Sequence, residues 1–152
     1  MVGRGLRVIA VDQSDTMLAT LASHLAGRGE IEGRHGDAER LPIADGEVDH
    51  AFANMYLHHV ERPEIAVREM ARIVRPGGTV VITDMDEHDF AFLRTEQHDR
   101  WLGFARQSVR GWLDAAGLMD IQIECAEENC SATSEHGADA ATVGLFLAWG
   151  RR

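Results

Sequence analysis

Apolar residues along this chain come in short runs of strand length that alternate with helix-spaced sets. Residues 6–11 form a mostly apolar run that stops at Asp12. Ser14 or Asp15 then offers a helix N-cap, because a short side-chain oxygen can accept one of the unpaired N–H groups of a first turn. Met17, Leu18, Leu21 and Leu25 follow at helical spacing. Gly27 and Gly29 end that helix, a short strand follows around Ile31, and Gly36-Asp37 makes the next turn. Residues 48–53 predict a largely buried strand, and 64–74 a helix with Val67, Met70, Ala71 and Val74 on one face. Arg75-Pro76-Gly77-Gly78 stops the helix, since proline and paired glycines continue it only at a cost, and β-branched 79–83 is the clearest strand of the chain.

Further on, residues 90–101 read as helical or irregular. Ser108 is placed to cap a helix carrying Val109, Trp112, Leu113 and Ala116, which Gly117 ends. Two strands, 119–124 and 143–149, are separated by a polar stretch, 127–141, read as a loop. Strands alternating with helices predict an α/β fold with a mostly parallel sheet, and the two closing strands, with no helix between them, predict an antiparallel edge. A chain of 152 residues is the size of one ordinary domain, so a single domain is expected over 1–152.

Charge and cysteine content narrow the partners. The formal net charge is −10, with acids gathered at 37–49, 84–89 and 124–135, a surface that repels a phosphate backbone, so no nucleic-acid partner is expected. No apolar run reaches the eighteen or so residues of a membrane span. The opening MVGRG has no long apolar region or cleavage site, and Cys125 and Cys130 are too few for a disulfide framework. A cytoplasmic protein with two free thiols and no metal site is expected.

In an α/β sheet ligands bind at the carboxyl ends of strands, so the residues that end the apolar runs carry the candidate chemistry. Asp12 can accept hydrogen bonds from both hydroxyls of a ribose, or simply cap a helix. Asp37 can accept from an exocyclic amine such as that of adenine, with Ala38 leaving room for a flat ring, or it can be a surface turn. Asn54 ends the third run and precedes Met55-Tyr56-Leu57-His58-His59, where an amide and two imidazoles can meet a ligand or a substrate. Asp84, Asp86, Glu87, His88 and Asp89 follow the strongest strand. They form either an acidic solvated loop or a set that binds a cation or a proton.

In order and spacing, the segments VIAVDQSDTML, GDAERLPIADGEVDHAFANMYLHHV and RPGGTVVITD resemble class I S-adenosylmethionine-dependent methyltransferases over most of residues 6–84. The segment EHDFAFLRTEQHDRWLGF, the helix near Trp112 and the closing LFLAWGRR are similar to methyltransferase domains fused behind winged-helix repressors of the arsenic-resistance type. The resemblance implies a Rossmann-like fold and S-adenosylmethionine as cofactor. Asp12 would then hold the ribose, Met17 would pack near the adenine or serve as a core residue of its helix, Asp37 and Ala38 would meet the adenine edge, and Asn54 would lie near the methionine moiety.

It also implies a first strand ending in a Gly-x-Gly-x-Gly loop. Only five residues precede Leu6, and Gly3 and Gly5 stand in no strand-to-helix context, so that strand, loop and helix are expected to be missing. Either the strands ending at Asp12 and Asn54 then pair directly, or a second chain covers the exposed sheet edge, as in a homodimer, or the isolated domain is poorly stable. The expected activity is methyl transfer to a small molecule, for which His58, His59 and His88 are the substrate-side candidates and no dedicated acid or base is required. The alternatives are a non-catalytic oligomerisation or sensing domain of the same fold, and a nucleotide-binding oxidoreductase, which would also need the glycine loop.

Overall fold

The computed structural model describes residues 6–25, 27, 30–134 and 140–152. The chain falls into two compact units, Met1–Ala44 and Asp45–Arg152. Gly3, Gly5 and Gly29 lie outside the described residues, as do residues 135–139 of the expected loop.

The first unit holds strand β1 (Arg7–Asp12), helix α1 (Asp15–Leu25) and strand β2 (Glu30–His35). Ser14 caps α1 as expected: its Oγ accepts from Met17 N at 3.3 Å and its carbonyl from Leu18 N at 3.1 Å. Gly27, at φ +78°, supplies the left-handed residue that leaves the helix. β1 and β2 pair in parallel with Asp12 opposite His35.

The second unit is a four-stranded sheet in the order β3 (Val48–Asn54), β4 (Val74–Met85), β6 (Ala140–Arg151) and β5 (Met119–Thr133). β3 and β4 are parallel, and β4–β6 and β6–β5 are antiparallel, which is the predicted antiparallel edge. Helices α2 (Pro63–Ile73) and α4 (Arg106–Ala115) contact each other and the sheet, and α3 (Phe92–Glu96) is a short turn between β4 and α4. α2 starts on Pro63, whose missing N–H costs nothing in a first turn, and buries Val67, Met70 and Ala71 as its spacing predicts. Val80, Ile82, Val109, Leu113, Phe146 and Ala148 are fully enclosed. Truncating any of the larger ones to alanine removes about 2–5 kcal/mol.

Four expectations are corrected. Residues 48–53 are not largely buried: Ala51 is enclosed, but Phe52 is 63% exposed, because β3 ends the strand order of its sheet. The polar stretch after residue 124 continues as strand to Thr133. β5 is the outer strand of an antiparallel hairpin, where polar side chains face water without cost, and a bulge between Cys125 and Asn129 absorbs the broken alternation. Ser108 sits inside α4, which starts at Arg106 without a side-chain cap. The strand expected at 79–83 starts earlier: β4 begins at Val74, and the ladder with β3 jumps from Val48↔Val74 to His50↔Thr79, so Arg75, Pro76, Gly77 and Gly78, which follow the end of α2 as expected, bulge out of register.

The two glycines of that bulge serve different needs. Gly77 is at φ +83° with open space around its Cα, whereas a Cβ on Gly78 would fall 2.2 Å from Asp49 O and 2.5 Å from Val74 Cγ1. Gly77→Ala is therefore expected to cost about 1–2 kcal/mol in backbone strain. Gly78→Ala should cost more, about 2–3 kcal/mol, because a backbone oxygen must move. Urea unfolding midpoints of the two variants check the order, and Gly78→Ala unfolding no more easily than Gly77→Ala would refute it.

Candidate functional site

In the first unit, the parallel register sends the carboxyl ends of β1 and β2 out on the same side, and this brings Asp12 and Asp37 to one end. Asp12 Oδ1 accepts from Ser14 N at 2.7 Å, and its carbonyl accepts from Gly36 N at 3.1 Å. Asp37 Oδ1 accepts from Glu39 N at 2.8 Å, and Oδ2 from Gln13 Nε2 at 2.8 Å. Both aspartates are thus oriented by the backbone two residues on, the Asx-turn geometry. Gly36 between them is packed against Pro42, whose Cδ would lie 2.5 Å from an added Cβ. Ala38 is half-buried, and Met17 is 57% exposed, so Met17 is not a core residue of α1.

In the second unit, Asn54 ends β3 opposite Thr83, and its Oδ1 accepts from Thr83 Oγ1 at 2.5 Å. Met55, at φ +49°, then turns the chain into a 3-10 turn, Leu57–His59, with its own N–H donating to Thr83 O at 2.9 Å. The turn folds His58 inward, where Nδ1 lies 2.7 Å from Asp84 Oδ1. Asp84 is 0% and His58 4% exposed. Asp84 Oδ1 also accepts from Met85 N at 2.8 Å, and Oδ2 from His58 N at 3.3 Å. The acidic stretch after β4 is therefore not a uniform solvated loop. Asp84 continues the inward parity of Val80 and Ile82, and Asp86 makes a two-pronged pair with Arg106 at 2.7 Å on each prong, leaving Glu87 and Asp89 exposed. A carboxylate can only accept, so the proton of this bond is on Nδ1 of His58, and in the neutral form of the ring Nε2 is the nitrogen that presents a lone pair.

A third acid, absent from the residues singled out in the sequence, completes the group. Arg100 and Trp101 both donate backbone N–H groups to His58 O, at 2.9 and 3.1 Å, and Trp101 Nε1 donates to Val60 O at 2.9 Å. These bonds clasp residues 99–101 onto the 3-10 turn and place Asp99 Oδ1 3.7 Å from His58 Nε2 and 3.8 Å from His59 Nδ1. A cavity of about 340 Å³ opens here, lined among others by Met55, His58, His59, Met85, Asp99 and Cys130. Nothing in the periodicity marks Asp99, since it sits between α3 and α4 on irregular backbone. The inward parity of Asp84 was the one readable signal.

His88, the third candidate, is built differently. Its Nδ1 accepts from Phe90 N at 3.2 Å, and its Nε2 is buried with no partner among the described residues. Burial pushes its pKa down, with His58 adding to the effect, against the opposing carboxylates of Asp99 and Asp89. His88 is accordingly the neutral form when folded, while an unfolded histidine titrates near about 6.5. The unfolded state therefore binds the extra proton, so the stability linked to His88 is complete above pH about 6.5 and is lost as pH falls through the lower folded value. Comparing the Tm of His88→Gln with that of the wild type from pH about 7.5 down to about 5 should show the wild type losing more on acidification. A difference that stays constant with pH would remove this role.

A methyltransferase domain model matches residues 1–82. A malonyl-[acyl-carrier protein] O-methyltransferase of Methylococcus capsulatus is 35% identical over 122 residues, covering 76% of this chain and 44% of the relative. A demethylmenaquinone methyltransferase of Desulfitobacterium hafniense is 41% identical over 87 residues, covering 55% and 34%. The chain thus spans less than half the length of these relatives. Among solved structures, a SAM-dependent methyltransferase from Methanosarcina mazei superposes with a TM-score of 0.73 at 12% identity, covering 98% of this chain and 83% of that one. A phosphoethanolamine N-methyltransferase of Haemonchus contortus, solved with S-adenosyl-L-methionine, gives 0.74 at 15% identity, covering 97% and 44%. At these identities the likeness establishes the Rossmann-like methyltransferase fold. With 82 of its 152 residues matched by that domain model, the chain belongs to the methyltransferase domain family.

Proposed function

We propose that this chain takes part in S-adenosylmethionine-dependent methyl transfer to a small molecule. The observation that carries the reading is the pair Asp12 and Asp37, two backbone-oriented carboxylates at the same end of a parallel strand pair. Asp12 has an oxygen, Oδ2, to which no described residue donates, and it suits a ribose hydroxyl. Asp37 and half-buried Ala38 suit an amine-bearing flat ring. Asn54 is assigned to the amino acid portion of the cofactor. Within the first unit, Asp12, Asp37 and Ala38 fit the nucleoside part of the cofactor, which supplies an electrophilic methyl group when bound.

On the acceptor side, His58 is the proton acceptor in this reading. Asp84 fixes its tautomer and stabilises the imidazolium that forms, leaving Nε2 to take the proton of the acceptor's X–H group as the new bond to carbon is made. Met55, Met85 and Leu93 on the cavity wall suit an acceptor with an apolar body. The names of the relatives specify malonyl-[acyl-carrier protein] and demethylmenaquinone, and the second supports a small acceptor. The segment EHDFAFLRTEQHDRWLGF, which delivers Asp99, is the ground for the narrower kinship with methyltransferase domains of arsenic-resistance-type repressors.

Calorimetric titration with S-adenosylhomocysteine tests the reading. Saturable binding is expected, weakened about 10- to 100-fold in Asp12→Ala, the loss of a hydrogen bond to a charged group, and little changed in His58→Gln. A folded wild-type chain that gives no binding heat would overturn the proposal and favour a non-catalytic domain.

A further inference from the structure

We infer that His58 Nε2, His59 Nδ1 and the Asp99 carboxylate form a binding site for a divalent transition metal of the zinc class. The three ligand atoms lie within 4.8 Å of one another. Around a four-coordinate ion with bonds of about 2.0–2.1 Å, ligand atoms stand about 3.4 Å apart, so the 3.7 and 3.8 Å separations here need contraction of a few tenths of an ångström.

Three further features point to a ligand. The Asp99 side chain is only 4% exposed, and no described residue gives its carboxylate a hydrogen bond; the two imidazoles stand at ion-pair distance, and His88 feels its charge as well. A buried carboxylate in that state is costly unless a cation meets it. Second, the other nitrogen of His58 is already held by Asp84 at 2.7 Å, the carboxylate–histidine arrangement that fixes a metal-ligating ring and raises its basicity. Third, the group borders a cavity of about 340 Å³, which leaves a coordination position open to water or a small ligand, and Cys130 lines the same cavity. Two imidazoles and one carboxylate select zinc, cobalt, nickel or iron over magnesium and calcium, which prefer all-oxygen sets.

This site does not depend on the methyl-transfer reading, although it shares His58 with it. A metal bound at Nε2 occupies the lone pair that would accept the substrate proton, so the metal acts as an inhibitor of any reaction that uses His58 as base.

Titration of the full chain with Co²⁺ in place of Zn²⁺, followed by the visible d–d absorption of a low-coordinate site, tests the inference without cofactor or substrate. One saturable equivalent is expected, displaced by Zn²⁺ but not by Mg²⁺. The dissociation constant should rise at least tenfold in His59→Ala, whose partly exposed ring can be removed without disturbing the buried pair, and also in Asp99→Asn. Thermal melting confirms that each variant is folded, and Zn²⁺ should raise the Tm of the wild type more than theirs. A wild-type chain with no saturable absorption, or a His59→Ala variant that binds as tightly as the wild type and so reveals adventitious surface histidines, would overturn it. Because S-adenosylhomocysteine binding is read separately, failure here and failure of the methyl-transfer reading are distinguishable.

Discussion

The buried carboxylate of Asp84 is the constraint from which the described site follows. Strand parity places it on the face that also carries Val80 and Ile82, where no water reaches it. A charge so placed must be paired and hydrogen-bonded, and deleting its partner costs about 3–5 kcal/mol. The backbone N–H of Met85 supplies one bond, and His58 supplies two, one from the ring and one from the main chain. For His58 to reach Asp84, the chain leaving β3 must reverse at once. That accounts for the left-handed Met55 and the Met55 N–H on Thr83. The inward turn then exposes the His58 carbonyl to Arg100 and Trp101, and their bonds bring Asp99 alongside. One polar residue on an otherwise apolar strand face thus organises three segments that are remote in sequence.

The opposite end of β4 is held by a different device. Helices leave their last carbonyls unpaired, and α2 passes directly into β4 with no residues to spare for a glycine cap. The guanidinium of Arg152 fills that role, donating to Arg72 O at 2.6 Å and to Val74 O, while its main chain pairs with Gly77 and Gly78 across the bulge. A cation at a helix carboxyl end is also favoured by the helix dipole. The bulge, the helix end and the end of β6 therefore form one cooperative unit, and Gly78 is required there because Asp49 O already occupies the space of a side chain.

How much of this the sequence discloses depends on the range of the interactions. The α/β class, α2 with its buried Val67–Met70–Ala71 face, the Ser14 cap and the strand at 79–83 are legible because local periodicity and capping chemistry decide them. The exposure of Phe52 and the strand character of residues 125–133 are not, because both depend on where a strand sits in the sheet order, which no local pattern encodes. The site divides in the same way. Asp12, Asp37 and Asn54 are singled out as candidates by the rule that strand ends carry ligands, and His58 and His59 by their position after the third strand. Asp99 is invisible because its role is created by hydrogen bonds from Arg100 and Trp101 to a carbonyl some forty residues earlier. Ser108 was misplaced because capping residues are also tolerated one turn inside a helix, where Ser108 N simply bonds Ala105 O at 2.9 Å.

Asp84 and Asp99 bracket one imidazole from its two nitrogens, and they do so asymmetrically. The 2.7 Å bond at Nδ1 is short and fully enclosed, whereas the 3.7 Å approach at Nε2 leaves a gap wider than a hydrogen bond. A direct His58–Asp99 bond would have locked both nitrogens and closed the ring to chemistry. The observed spacing keeps Nε2 addressable while supplying negative charge beside whatever meets it, whether the proton of an acceptor molecule or a cation. Either occupant neutralises the same buried carboxylate, and since a metal ligand must be deprotonated, the two occupants compete through pH as well as through space. The gap at Nε2, rather than the histidine pair as such, is what the proposed proton transfer and the proposed metal site both require.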